Sequence, residues 1–259
     1  MKNSKVVSHI VSWLTDYSNK SNTNGFVIGV SGGIDSAVTS TLAALTKKNV
    51  FLLNMPIHQD RHQFLRAENH IAWIKKQNPN VESINQDLSS VFDAFCKDLP
   101  DNIQDDLTMA NLRARIRMST LYAFASHNKS LVVGTGNKVE DFGVGFYTKY
   151  GDGGVDISPI ADLIKTEVFE LAKYLDIIEE IQKAAPTDGL WGEDRTDEEQ
   201  LGATYLELEW AMKYIENKSL YGLDERQKEV LLIYKKLNST NKHKMLNIPV
   251  CKIPLAFKI

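Results

Sequence analysis

Residues 26–36 read Phe26-Val27-Ile28-Gly29-Val30-Ser31-Gly32-Gly33-Ile34-Asp35-Ser36, and Ala37 to Leu45 continue in a helical pattern. The β-favouring apolar run predicts a buried strand, and the glycines a tight turn into the helix. A strand, a Gly-rich turn and a helix N-terminus together form an anion cradle, because unpaired backbone N–H groups and the positive end of the helix dipole meet there. Glycine also lets a ligand approach the backbone with no Cβ in the way. Ser31 and Ser36 add hydroxyl donors. No lysine stands in the loop, so it is not the GxxxxGK[ST] loop that grips β- and γ-phosphates for γ-transfer. Asp35 is out of place in a bare anion site. A carboxylate beside a phosphate is reasonable where Mg²⁺ bridges the two.

Outward from this string, Val6, Val7, Ile10, Val11 and Leu14 recur at helical spacing and predict an amphipathic N-terminal helix. Val50 to Met55 is a second apolar run, stopped by Pro56. A helix is expected from about Asp60 to Gln77, then a strand from Val81 to Ile84. Asp87 is placed to cap a helix carrying Val91, Phe92 and Phe95. Met109 to His127 predicts a long helix and Ser130 to Gly134 a short strand. Thr135 to Pro159 is Gly-rich and reads as loop. Helices follow over about 165–175, 204–215 and 224–237, with a polar, acid-rich excursion from Thr187 to Glu199. Short apolar strands alternating with helices imply an α/β fold, a parallel sheet with helices on both faces, in one domain spanning 1–259.

The bulk composition narrows the function. The chain has 259 residues, 43% hydrophobic and 24% charged, with 30 Lys and Arg against 33 Asp and Glu. A net charge of −3 does not advertise a nucleic-acid partner, so an anionic substrate must be met by local cations. Cys96 and Cys251 stand far apart and in no CxxC pattern, which implies no zinc site and no disulfide framework. No apolar run has the length of a membrane span, and no signal-peptide pattern is present, so a cytoplasmic protein is expected.

The SGGxDS string resembles the pyrophosphate loop of the N-type ATP pyrophosphatases, which share the Rossmann-like adenine nucleotide alpha hydrolase fold. Three further stretches narrow the resemblance: LVVGTGNKVEDFGVGFYTKYGDGGVDISPIADLIK at 131–165, NLRARIRM at 111–118 and AAPTDGLW at 184–191. Together they resemble the NAD synthetase family over nearly the whole chain. The resemblance implies ATP-dependent amidation of nicotinic acid adenine dinucleotide (deamido-NAD), with Mg²⁺ and ammonia. The carboxylate is first adenylated with release of pyrophosphate, and ammonia then displaces AMP. A carboxylate is a poor acyl donor, and adenylation supplies the leaving group.

The family pattern assigns residues 29–36 (Gly29, Val30, Ser31, Gly32, Gly33, Ile34, Asp35 and Ser36) to ATP, together with Thr135, Lys165 and Thr187. Thr187 stands where the family more often has Ser. Thr135 follows the strand Leu131–Val133, and ligands of open α/β sheets bind beyond the carboxyl ends of strands. Asp35 and Glu140 match the Mg²⁺ carboxylates. Lys165 falls near a helix start, where a cation is disfavoured, and this favours a ligand role. Arg115, Lys149, Asp156, His243 and Lys244 match contacts to deamido-NAD, and Asp152 matches a group that binds or deprotonates ammonium. By helical periodicity Arg113 and Arg117 share a flank about 160° from Arg115, so the three cannot serve one phosphate. Arg113 and Arg117 are read as solvated or salt-bridged, and Phe142, Phe146, Tyr147 and Trp191 as packing.

Rival readings remain at this stage. A tRNA-thiolating pyrophosphatase needs catalytic or cluster-binding cysteines. A GMP synthetase needs an amidotransferase domain or partner. A nucleotide sensor on the same fold needs no metal pair. With no Cys in a nucleophile context and little chain before the loop, free ammonia rather than glutamine is expected as nitrogen donor. The family implies a homodimer, for which the stripes of the first helix and of 109–127 are candidate surfaces. The segments 187–199 and 238–252 are expected to be poorly ordered without ligand and to close over the site, since adenylates hydrolyse in water.

Overall fold

The computed structural model describes residues 1–185, 196–217 and 222–258. In chain order its elements are α1 (Asn3–Lys20), β1 (Gly25–Gly29), α2 (Ile34–Leu45), β2 (Asn49–Asn54), α3 (Arg61–Gln77), β3 (Val81–Asn85), α4 (Ser89–Asp98), α5 (Asp106–Asn128) and β4 (Ser130–Val132). A π-helical segment, Val139–Val144, precedes α6 (Lys165–Tyr174), α7 (Glu179–Lys183), α8 (Asp197–Leu201), α9 (Tyr205–Glu216) and α10 (Glu225–Met245).

The four strands form a parallel sheet in the order β3-β2-β1-β4. Side-chain alternation sorts its two faces. Phe26, Ile28, Val50, Leu52, Leu131 and Val133 point into a core built with α1, α2, α3 and α6. Val27, Leu53 and Val132 point the other way, toward α4 and α5. Helices therefore cover both faces, as the alternating pattern predicts. β1 is the centre of the sheet, and its Phe26, Val27 and Ile28 are fully buried. The chain runs from β1 outward to β3, then returns to place β4 on the other side of β1. The carboxyl ends of β1 and β4 thus flank a topological switch point, where such sheets bind ligands.

Several segments depart from the sequence expectation. The stripe of α1 packs on its own molecule, with Ile10 and Leu14 buried against α2 and α6. The stripe of α5 is buried likewise, through Met109, Ile116 and Leu121. Neither is free as a dimer surface. The Gly-rich stretch after β4 contains the π-helical segment, whose Val139 and Val144 join a third apolar cluster with α9 and α10. Residues 197–199 begin α8, capped by Thr196, rather than a loop. α10 continues to Met245, well past the expected Leu237.

Beyond α10 the chain carries Leu246, Ile248, Val250, Ile253, Leu255 and Phe257, all exposed. No helix among the described residues is long and apolar enough to cross a membrane.

Candidate active site

A cavity of about 240 Å³ opens at the switch point, lined by the phosphate loop, Thr135, Glu140, Asp152 and Lys165. The loop is held by its own hydroxyls. Ser36 Oγ donates to the Gly33 carbonyl at 3.0 Å and accepts the Ser31 N–H at 3.2 Å. Ser31 Oγ accepts the Gly33 N–H at 3.2 Å. Gly32 is left-handed, φ +80°, and a Cβ there would lie 3.0 Å from the Gln63 carbonyl. The vertex of the loop therefore rests against α3 and admits no side chain.

Lys165 lies at the centre of the site. It is the first residue of α6 and is 3% exposed. Its ammonium donates to Asp35 Oδ2 at 2.6 Å and to Glu140 Oε1 at 3.0 Å. Burial works against this charge, but the two carboxylates more than offset it and hold its pKa above the ordinary lysine value. Burial raises the Asp35 carboxyl, against the attraction of Lys165 and with added repulsion from Glu140. Burial would also raise Glu140, yet Lys165, the Tyr205 hydroxyl and Asn137 bring it below its usual value. The cation at a helix start, disfavoured by the dipole, is thus held by side chains 130 and 25 residues away in sequence.

Three further residues join this network that were not singled out from the sequence, Asn137 and Asp141 within the 131–165 stretch and Tyr205 outside every motif. Asn137 is fully buried and donates to Asp35 Oδ1 at 3.2 Å. Its side-chain oxygen Oδ1 accepts the Val139 and Glu140 N–H groups, which ties Asp35 to the segment that carries Glu140. Tyr205 donates to Glu140 and reaches Asp197 Oδ2 at 3.3 Å. Asp141 lines the cavity against Gly136, and burial with the charges of Glu140, Asp152 and Asp35 pushes its carboxyl up to about 8. Asp152 is exposed as a residue, yet desolvation of its carboxyl raises it to about 6, with repulsion from Glu140 and against the Thr148 N–H that it accepts at 3.0 Å. A carboxyl titrating near neutrality suits proton exchange.

The residues assigned to deamido-NAD do not line the cavity. Arg115 is exposed, with Nε donating to the Lys149 carbonyl at 3.3 Å. Lys149 Nζ donates to the His243 carbonyl at 3.0 Å, and Lys244 Nζ to the Tyr147 carbonyl at 2.7 Å. These four residues form one surface group beside the cavity mouth, where Tyr147 and Asp152 line the wall. Asp156 is occupied, accepting the Tyr122 hydroxyl at 2.9 Å and the Val132 N–H at 2.8 Å. Thr187, Trp191, Glu193 and Asp194 lie outside the described residues.

Two arginines differ from the expectation. Arg113 stacks its guanidinium 4.2 Å from the Phe92 ring centre. Arg117 lines the cavity, with Nε on the Met55 carbonyl at 3.0 Å and an Nη on Gln59 Oε1 at 3.3 Å. Phe146 and Tyr147 line the cavity too, rather than serving only as packing, while Phe142 is exposed.

A parallel α/β sheet with a lysine-free phosphate loop at its switch point, and a Lys–carboxylate pair beside it, defines a nucleotide-binding protein of the pyrophosphatase kind. The chain belongs to the NAD synthase family, whose model matches residues 6–247. It is 37% identical over 257 residues to the NH(3)-dependent NAD(+) synthetase of Methanosarcina acetivorans, covering 95% of this chain and 97% of the relative. Among solved structures it is similar to the NMN synthetase of Francisella tularensis, with a TM-score of 0.86 and 31% identity over 98% of this chain and all of the other. It is also similar to the NH3-dependent NAD synthetase of Campylobacter jejuni, solved with a nitrate ion, with a TM-score of 0.80 and 29% identity over 97% of this chain and all of the other.

Proposed function

We propose that this chain is a ligase that makes NAD from deamido-NAD, ATP and ammonia, releasing AMP and pyrophosphate through an adenylate intermediate. The observation that carries the reading is Lys165 joining Asp35 to Glu140 beside the phosphate loop, in a member of the NAD synthase family. Residues 29–36, Thr135, Lys165 and Thr187 bind ATP. Two anions must meet when the nicotinate carboxylate attacks the α-phosphate, so positive charge held at that point lowers the barrier. Lys165, buried and kept protonated by its partners, supplies it.

Asp35 and Glu140 are the residues that would hold Mg²⁺. Among the described residues no cluster of three or more His, Cys, Asp or Glu could hold a metal alone. Two hard carboxylates beside a phosphate loop do fit an ion that takes its other ligands from phosphate and water. Bound there, Mg²⁺ would neutralise phosphate charge. Asp152 takes the proton from ammonium so that free ammonia attacks the adenylate. Arg115, Lys149, Asp156, His243 and Lys244 hold the dinucleotide. Their position outside the cavity supports a substrate that extends beyond it, toward a second copy in a cytoplasmic homodimer.

The test is formation of NAD and pyrophosphate from ATP, deamido-NAD, Mg²⁺ and ammonium, and its absence when glutamine replaces ammonium. A second reading follows from the likeness to the Francisella NMN synthetase, with nicotinic acid mononucleotide as the acceptor. Comparing kcat/KM for the two acceptors decides between them. Preference for the dinucleotide supports the first reading, and preference for the mononucleotide the second.

A further inference from the structure

Arg66 of α3 belongs to no motif and to no step described above. Its Nε donates to the Gly32 carbonyl at 2.9 Å. The side chain is half-buried, and no carboxylate lies within ion-pairing distance of it among the described residues. Its two terminal Nη groups have no hydrogen-bond partner there either. A guanidinium carries five donors in a rigid fork, and with Nε on the loop the two Nη groups of Arg66 are not buried and stay open to an incoming anion.

The peptide it holds is the one at the vertex of the phosphate loop. In a trans peptide the C=O and N–H point to opposite sides. With the Gly32 carbonyl turned to Arg66, the Gly33 N–H is turned to the inner side of the loop, where Ser31 Oγ meets it. α3 fits closely here, since a Cβ on Gly32 would stand 3.1 Å from the Ala67 nitrogen. Charge gives a second argument. Asp35, Glu140, Asp141 and Asp152 line the cavity, against the cations Lys165 and Arg117. Lys165 is already shared by two carboxylates, and Arg117 is engaged on Met55 and Gln59 at the β2 side. A departing pyrophosphate is a multiply charged anion and needs a further cation at the loop.

We propose that Arg66 is a binding residue for the pyrophosphate end of ATP, its Nε fixing the Gly32 carbonyl and its Nη pair taking the β- and γ-phosphate oxygens. The inference rests on the reading of ATP as substrate. It fits the bidentate chemistry of arginine with phosphate.

Calorimetric titration with inorganic pyrophosphate, and separately with AMP, tests it without turnover, each with Mg²⁺ present. Arg66→Met should weaken pyrophosphate at least tenfold and leave AMP within twofold. Arg66→Lys, which keeps charge and volume, should fall between. Arg66→Gln keeps a donor for Gly32 without charge and should behave like Arg66→Met. Unchanged pyrophosphate affinity in the Met and Lys variants overturns the proposal. Equal losses for pyrophosphate and AMP, or full rescue by Gln, also overturn it, because they show a role in loop shape alone. Wild-type protein that binds neither ATP nor pyrophosphate overturns the ATP reading together with this one.

Discussion

The Tyr205 hydroxyl and the Lys165 ammonium converge on the same oxygen, Glu140 Oε1, at 2.5 and 3.0 Å. The neutral donor and the charged one together fix the carboxylate through that oxygen. Tyr205 keeps its proton, because burial and the nearby carboxylates Glu140 and Asp197 raise its pKa far above the ordinary phenol value. It is therefore a permanent donor that positions Glu140.

Tyr205→Phe keeps the ring on which Lys165 rests and removes only the hydroxyl. A hydrogen bond to a charged group contributes about 1.5–3 kcal/mol. The Mg²⁺ concentration for half-maximal pyrophosphate release should rise about tenfold or more, and the melting temperature should fall by a few degrees. An unaltered Mg²⁺ titration would show that Glu140 needs no such support.

Asp35→Asn should lower pyrophosphate release by about 10³-fold, the scale of losing a preorganised charge at a reacting phosphate. Lys165 keeps Glu140 as its partner in this variant, so the fold should persist. Rapid-quench measurement of pyrophosphate formation separates adenylation from amination. Near-normal turnover would remove Asp35 from the mechanism.

A pH effect on stability arises far from the site, at His70. The ring is fully buried between Ser40 and Trp73, and its Nδ1 has no partner. Burial lowers its pKa from 6.5 to about 4. The unfolded chain then binds the extra proton between those values, so stability is complete above pH 6.5 and falls as pH drops toward 4. The loss amounts to about 3 kcal/mol. Urea unfolding at stepped pH should show this slope, and His70→Phe should flatten it. An identical slope in the variant would assign the effect to other groups.

The six exposed apolar residues from Leu246 to Phe257 make an unusual surface for a monomer. Analytical ultracentrifugation at micromolar concentration should show a dimer, and removal of residues 246–259 should shift it to monomer. A fully active monomer would refute a dinucleotide site shared between two copies.

Sequence patterning showed the sheet and the phosphate loop, because strands and the Gly-rich turn have a fixed local spacing, while the family resemblance pointed to Thr135, Glu140 and Lys165, of which the last two meet Asp35 in the structure. The missed parts depend on contacts made only in three dimensions. Tyr205 reads as the first residue after the capping Thr204, and only the packing of α9 on the π-helical segment brings it to Glu140. The last two turns of α10 lack apolar periodicity for a related reason. Asn238, Asn241 and Lys244 recur every three residues and donate to the carbonyls of Gly143, Val144 and Tyr147. That face is polar because it binds backbone, and it therefore looks like a solvated tail. Gly145, left-handed at φ +65°, lets Asn241 press against it where any side chain would collide. Residues 238–245 are thus helical, although their polar pattern suggests a turn-rich segment.

The order in which the site's parts occur along the chain has a consequence for synthesis. The phosphate loop is complete by Ser36, but β1 pairs with Ser130–Val132 on its other side, and Glu140 gains its second donor only from Tyr205. Until α9 has left the ribosome, the nascent protein carries Asp35 and Glu140 without their full set of partners. Parallel pairing across such separations is slow. The first part of the site to be translated is therefore among the last to become competent, and a chain truncated before Tyr205 should hold a sheet without a working centre.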